Sequence, residues 1–294
     1  MGLAETLLLG FIAGVTILCG LPIGRLRRPM PALRAFLNAI AIGVLLFLIW
    51  DVLSHAWNPI DAALGDVHAH HGGLGQVFGY GALFVAGVTI GFLGLVAYER
   101  WMGAKARRAT RGDSPAGPGA MSVDERVGAM ATWSPATWSP ARRLSLLIAV
   151  GIGLHNFAEG LAIGQSAAKN ELALATLLVI GFGLHNATEG FGIVAPLAAG
   201  RSAEDGRPSW RFLLAMGLIG GGPTFVGTAL GHGFTSDAVS VLFLTLAAGS
   251  ILYVVIQLLG VASKLAKPNL LAYGLLLGLF AGFATDAVVT AAGG

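Results

Sequence analysis

Apolar runs long enough to cross a bilayer divide the chain into eight stretches, at about 3–24, 33–57, 75–100, 143–168, 171–199, 210–231, 237–262 and 269–291. A membrane-spanning helix takes roughly 20 mostly apolar residues, and every stretch meets that length. Most of the polar connections between them are short. The pattern predicts an all-α membrane protein, a bundle of eight transmembrane helices forming a single domain over residues 1–294. Arg25, Arg27 and Arg28 follow the first apolar run rather than precede it. A signal peptide would carry its basic residues ahead of the run, so this reads as a retained first helix.

Basic residues give the bundle a direction. With the N-terminus outside, the connections after the first, third, fifth and seventh helices hold all but one of the 18 Lys and Arg, the exception being Lys169. Cytoplasmic connections of membrane proteins are enriched in this way. Eight spans then put both termini outside. The long third connection, 101–142, is rich in Gly, Pro, Ala and Arg, and repeats Ala-Thr-Trp-Ser-Pro at 131–135 and 136–140. It reads as a largely disordered cytoplasmic loop, with Trp133 and Trp138 able to touch the membrane interface.

Composition strengthens this picture. The chain is 55% hydrophobic and 11% charged, where a soluble domain carries about 25% charged residues. No basic face with base-reading groups is present, which argues against nucleic acid as a partner. The lone Cys19 has no disulfide partner within the chain and reads as a packed thiol. The external connection at 58–74 carries Asp61, Asp66, His68, His70 and His71. It reads as a solvated polar loop, with metal collection as the alternative that clustered histidines suggest.

The sharpest signal lies inside the membrane. Residues 153–160 read Gly-Leu-His-Asn-Phe-Ala-Glu-Gly, and 183–190 read Gly-Leu-His-Asn-Ala-Thr-Glu-Gly. Each copy falls at the middle of its span, in the fourth and fifth helices. His155 and Glu159 are four residues apart and share a helix face, as do His185 and Glu189. Two imidazoles and two carboxylates can converge between antiparallel helices. Asn156 and Asn186 add carbonyl oxygens one position round. Imidazole with carboxylate suits Zn²⁺ and related first-row ions. The bland alternative is polar glue between two helices. Against it, an acid at the bilayer centre costs about 2.5–3.5 kcal/mol on insertion scales, and two together repel. A bound divalent cation relieves both problems.

Asp51 and His55 in the second helix and Asp286 in the eighth stand toward the outside. Counting from span centres, the two acids lie about 9 Å outward of the midplane at 1.5 Å per residue. They are candidates for an external vestibule that attracts cations; a solvated interfacial carboxylate is the alternative.

The motif resembles that of the ZIP (Zrt/Irt-like) family of metal transporters. Family members typically carry His-Asn-x-Pro-Glu-Gly in the fourth helix and a related motif in the fifth; here these read His155-Asn156-Phe157-Ala158-Glu159-Gly160 and His185-Asn186-Ala187-Thr188-Glu189-Gly190. Ala247-Ala248-Gly249-Ser250-Ile251-Leu252-Tyr253 in the seventh helix is also similar. The resemblance implies eight helices with both termini outside and a long cytoplasmic loop after the third. It also implies metal ligation by His155, Asn156, Glu159, His185, Asn186 and Glu189. This chain departs from the family at Ala158 and Thr188, where proline is usual. Thr224 stands where many members have a sixth-helix glutamate, and Gln257 where an acid is expected in the seventh. One well-formed metal site, with a weak or absent second, is therefore expected.

The functional expectation is uptake of a divalent metal ion into the cytoplasm, Zn²⁺ first, with Fe²⁺, Mn²⁺ and Cd²⁺ as further candidates. The ion is cargo, and the chain is not expected to be an enzyme. Its partners are the ion, the lipid bilayer and, as a candidate, a second copy of itself. Its expected location is the plasma membrane, as a prokaryotic inner-membrane protein. The competing class is an intramembrane zinc hydrolase, which needs an open coordination position and a general base; the His-Glu-x-x-His metalloprotease motif is absent from the sequence. Protease added outside intact cells should leave the 101–142 connection uncut. Cleavage there without lysis would overturn the orientation.

Overall fold

The computed structural model describes residues 2–25, 30–110, 135, 138–168, 172–199, 207–233, 236–265 and 267–291. They form helices α1 (Leu3–Val15), α2 (Pro31–His68), α3 (Leu74–Thr110), α4 (Pro140–Ala168), α5 (Leu172–Ala199), α6 (Trp210–Gly231), α7 (Asp237–Lys264) and α8 (Pro268–Ala291). Two 3₁₀ turns, Thr16–Cys19 and Leu21–Arg25, continue α1. No strand occurs among the described residues. Pro31, Pro140 and Pro268 open their helices, where a missing N–H costs nothing. Ser209 caps α6 by accepting a hydrogen bond from the Phe212 N–H at 3.2 Å.

The chain is an all-α membrane protein. Among the described residues, seven helical stretches are long and apolar enough to cross a membrane, counting α1 with its 3₁₀ extension as one. Helix α5, with 28 residues, is of similar length. Burial sorts them by position. In α4, 78% of the most apolar window is buried, against 17% in α3 and in α8. Helix α4 is therefore central, and α3 and α8 present their apolar side chains outward.

Several boundaries differ from the sequence expectation. Helix α2 runs on to His68, so Asp61, Asp66 and His68 belong to a helix rather than a loop. At 38 residues it spans about 57 Å, well beyond a hydrocarbon core of about 30 Å. His70 turns the chain with φ of 58°. Helix α3 extends to Thr110, past the expected start of the cytoplasmic connection, while residues 111–134 and 136–137 lie outside the description, Trp133 among them. Trp138 is buried against Phe212, ring centroids 5.3 Å apart, and does not reach the interface: its ring fills the gap where α4 starts beside α6. Cys19 is exposed, because the 3₁₀ winding at Thr16–Cys19 turns it away from the core while Ile17 points in.

The contacts fall into two sets of four. Helices α1, α4, α5 and α6 form one, with α4 against α6 its most extensive contact; α2, α3, α7 and α8 form the other, and α4 against α7 joins the two as extensively as α4 meets α5. Within each set, glycines bring backbones together. A Cβ on Gly160 would strike the Thr224 carbonyl, and one on Gly227 the Phe157 carbonyl. In the second set, Gly278 meets the Ile40 carbonyl and Gly249 the Val88 carbonyl in the same way. Between the sets the glycines face side chains instead: Gly151 faces methyls of Val254 and Leu95, and Gly192 a methyl of Leu258. Backbone cannot rotate aside as a side chain can, so the contacts within each set are the less forgiving. Gly227→Val should destabilise the purified protein by about 1–3 kcal/mol, the usual range for overpacking. Gly94, where a Cβ would enter open space, serves as the control. Thermal unfolding in detergent should separate Gly227→Val from Gly94→Val clearly, and equal midpoints would contradict the packing account.

Candidate metal centre

The two motif copies meet where α4 and α5 pass each other. Their helices run unbroken through the motif, so the absence of proline at Ala158 and Thr188 leaves the i, i+4 geometry intact. His155 Nε2 lies 2.9 Å from Glu159 Oε1 and 3.9 Å from Glu189 Oε1. His185 Nε2 lies 2.5 Å from Glu159 Oε1. The imidazole centroids are 6.0 Å apart. His155, Glu159 and His185 each offer one ligand atom, and those atoms lie within 4.8 Å of one another. Glu159 is the hub of the group. Glu189 reaches it from the fifth helix but sits a step further off.

All four side chains are largely withdrawn from solvent. His155 is 0% exposed, Glu159 5% and Glu189 1%. A carboxylate so placed needs donors or a cation. Among the described residues, neither oxygen of Glu189 has a hydrogen-bond partner, nor has Glu159 Oε2. His155 has none at either ring nitrogen: its close approach to Glu159 is not aligned as a hydrogen bond. Buried polar atoms of native proteins are almost always paired. A cluster of unpaired acceptors facing two imidazoles is the arrangement that a cation completes.

The asparagines do something that spacing alone did not reveal. Asn156 Nδ2 donates to the Gly220 carbonyl of α6 at 2.9 Å, and Asn186 Nδ2 donates to the Ala13 carbonyl of α1 at 3.0 Å. Each amide ties its motif helix to a neighbour. Each Oδ1 remains buried and unpartnered, so the carbonyl oxygen expected as a ligand is still free. Thr188 spends its hydroxyl on the His185 carbonyl, 2.7 Å away, and does not supply the oxygen that proline would have exposed. The motif glycines face neighbours other than each other. Gly153 and Gly160 lie against α6, and Gly190 against Ile17 and Gly20 after α1.

The remaining expected groups are placed as follows. Thr224 is fully buried on α6 with an unpaired hydroxyl, its backbone against Gly160 and its side chain against Gly14. His55 Nδ1 lies 3.3 Å from Asp51 Oδ1 and 2.9 Å from the Asp51 carbonyl. Asp286 is within electrostatic reach of His55, and Asp51 of His155. Val52 packs in one cluster with Ala158, Ala247 and Ala248. Asp51 therefore stands at the level of the central group, deeper than a count from the apolar run suggests. The run ends at 57, but the helix continues to His68, which shifts its midpoint outward.

Sequence reading passed over Glu99. Tyr253 Oη donates to Glu99 Oε2 at 3.0 Å, and Gln257 Nε2 donates to the same oxygen at 3.2 Å. The seventh helix thus has no acid at position 257 but holds one from α3 there. Glu99 ends an apolar run, and so passed for a boundary rather than an intramembrane acid. In comparisons with known proteins, no family model matches this chain and no curated protein matches it.

Proposed function

We propose that this chain carries a divalent metal ion, Zn²⁺ foremost, across the membrane and into the cytoplasm. The observation that carries the reading is the group His155, Glu159, His185 and Glu189, buried between two apolar helices with its acceptor atoms unpaired. Imidazole nitrogen with carboxylate oxygen is a donor set for zinc and its first-row neighbours. The resemblance to the ZIP family at the repeated motif supports the same reading, as does the concentration of Lys and Arg in alternate connections of the sequence. A prokaryotic inner membrane is the matching location.

In this reading Asp286 and His55 draw cations to the outer side, and Asp51, at the level of the central group, hands them inward. At the central group, Glu159 and Glu189 supply the charge that replaces part of the hydration shell, and His155 and His185 supply the nitrogen ligands. Asn156 and Asn186 hold the two motif helices to α6 and α1, which fixes the spacing of the ligands. Metal binding requires neutral imidazole and ionised carboxylate, so protons compete with it. Affinity should fall as pH falls, and a proton arriving at His155 or His185 favours release.

Zn²⁺ flux into proteoliposomes tests the reading, and also separates a carrier from an enzyme, which moves no metal. His155→Ala, Glu159→Ala, His185→Ala and Glu189→Ala should each lower the flux roughly ten-fold or more, the equivalent of at least about 1.4 kcal/mol in binding. Native flux in all four correctly inserted variants would sink the central site. The number of bound ions follows from charge. Glu159 and Glu189 are the only carboxylates in the central set, and two divalent ions would set four positive charges against two negative ones in a low-dielectric interior. One ion per chain is expected at equilibrium. Thr224→Glu should raise that number toward two or alter ion preference. Two full ions on the native chain, or a Thr224→Glu variant like native in both respects, would overturn the one-ion account.

A further inference from the structure

Between the central group and the cytoplasmic ends of the helices stands a second polar group, built on Glu99. Three helices converge below His155. One turn toward the cytoplasm on α4 lies Gly151, and there Leu95 of α3 and Val254 of α7 bring their methyls against it. Ser250 closes the same level, its hydroxyl within donating distance of the Gly151 carbonyl at 2.9 Å or the Ala247 carbonyl at 2.7 Å. One turn further along α3 comes Glu99. Two helical turns separate the levels of His155 and Glu99, about 11 Å. The sequence of environments along this line is carboxylate and imidazole, then a packed apolar layer, then carboxylate again.

Glu99 has no cationic partner among the described residues. Both of its hydrogen bonds come from neutral donors and both fall on Oε2, and no donor among the described residues reaches Oε1. Tyr98 and Trp101 on either side of it stack on each other, centroids 5.7 Å apart, and Trp101 is exposed. Aromatic rings of this kind sit at the membrane–water interface. While they mark the interface on the lipid side, Glu99 turns inward to Tyr253, which is almost wholly buried. An acid held on the inner face of an apolar span by neutral groups is a functional site by default.

The geometry points to Glu99, with the oxygens of Tyr253 and Gln257, as the station that receives the ion on the cytoplasmic side of the Leu95–Val254 layer and passes it to water. This inference rests on the transport reading and deepens it. The donor set is all oxygen with one carboxylate, so it suits a partly hydrated divalent ion held weakly. Weak holding is what an exit needs, because an ion must be able to leave. A single negative charge below the apolar layer lowers the cost of crossing it without trapping the ion. Glu99 would thus act on rate and leave the affinity of the central group unchanged.

Two measurements on the full-length protein test this together: Co²⁺ binding at equilibrium in detergent, and Zn²⁺ uptake into proteoliposomes with Mn²⁺ inside. Glu99→Gln should bind Co²⁺ as native does but take up Zn²⁺ several-fold more slowly, and internal Mn²⁺ should inhibit it less than it inhibits native. Glu99→Asp should recover most of the rate. Tyr253→Phe, which keeps the ring and removes the hydroxyl, should slow uptake in the same direction and stands in if Glu99→Gln does not fold. Native uptake and native Mn²⁺ inhibition in Glu99→Gln would overturn the proposal, as would a rate loss no greater than its loss of Co²⁺ binding. Native uptake in Tyr253→Phe would overturn it where that variant has to decide. If the native chain itself neither binds Co²⁺ nor moves Zn²⁺, the transport reading fails first and this inference with it.

Discussion

Two carboxylates and two imidazoles buried between a pair of apolar helices impose a constraint that the surrounding fold has to satisfy. Glu159 and Glu189 are almost fully withdrawn from solvent and their free oxygens find no donor. Left so, each would carry the desolvation cost of a buried charge. Protonation removes that cost, and so does a cation. The proximity of His155 and His185 to Glu159 gives both ways out, since the same atoms can share protons or hold a metal. A site with two such states is suited to binding and releasing an ion.

The bundle holds this group by contacts of a particular kind. Asn156 and Asn186 spend their amide protons on the backbones of α6 and α1. Gly160 and Gly227 let α4 and α6 meet backbone to backbone, and Gly20 and Gly190 do the same for α5 and the turn after α1. His155, Glu159, His185 and Glu189 therefore all sit within one tightly knit set of helices. The other set, α2, α3, α7 and α8, supplies further acids: Asp51 at the level of the central group, Asp286 near His55, and Glu99 two turns away toward the other end of the bundle. Where the sets meet, at Gly151 and Gly192, the contacts are to side chains of Leu95, Val254 and Leu258. Methyl groups can repack at lower cost than a peptide carbonyl can move, so the line along which an ion would pass is also the softer seam of the protein.

Much of this was legible in the sequence, for physical reasons that differ by feature. Apolar run length located the helices because lipid demands about 20 apolar residues per span. The His-x-x-x-Glu spacing brought the four side chains to one place because helix periodicity is fixed by the backbone. Features that depend on a third helix were not legible. Nothing in the motif says that Asn156 reaches Gly220, or that Gln257 serves an acid on α3. Trp138 looked interfacial because Trp often is, yet Phe212 offered it a buried partner. Cys19 looked buried, and a local 3₁₀ winding turned it out. The depth of Asp51 was misjudged because α2 continues as helix through polar residues that hydropathy assigns to a loop.

The central claim is that His155, Glu159, His185 and Glu189 together hold one metal ion. X-ray absorption at the zinc edge, on purified protein loaded with Zn²⁺ and freed of excess ion, tests it most directly. The account predicts one zinc per chain in a shell of nitrogen and oxygen at about 2.0–2.2 Å, with an imidazole signature that weakens in His155→Ala and in His185→Ala. A native protein that retains no zinc, or a zinc shell unchanged by removal of both histidines, would contradict it.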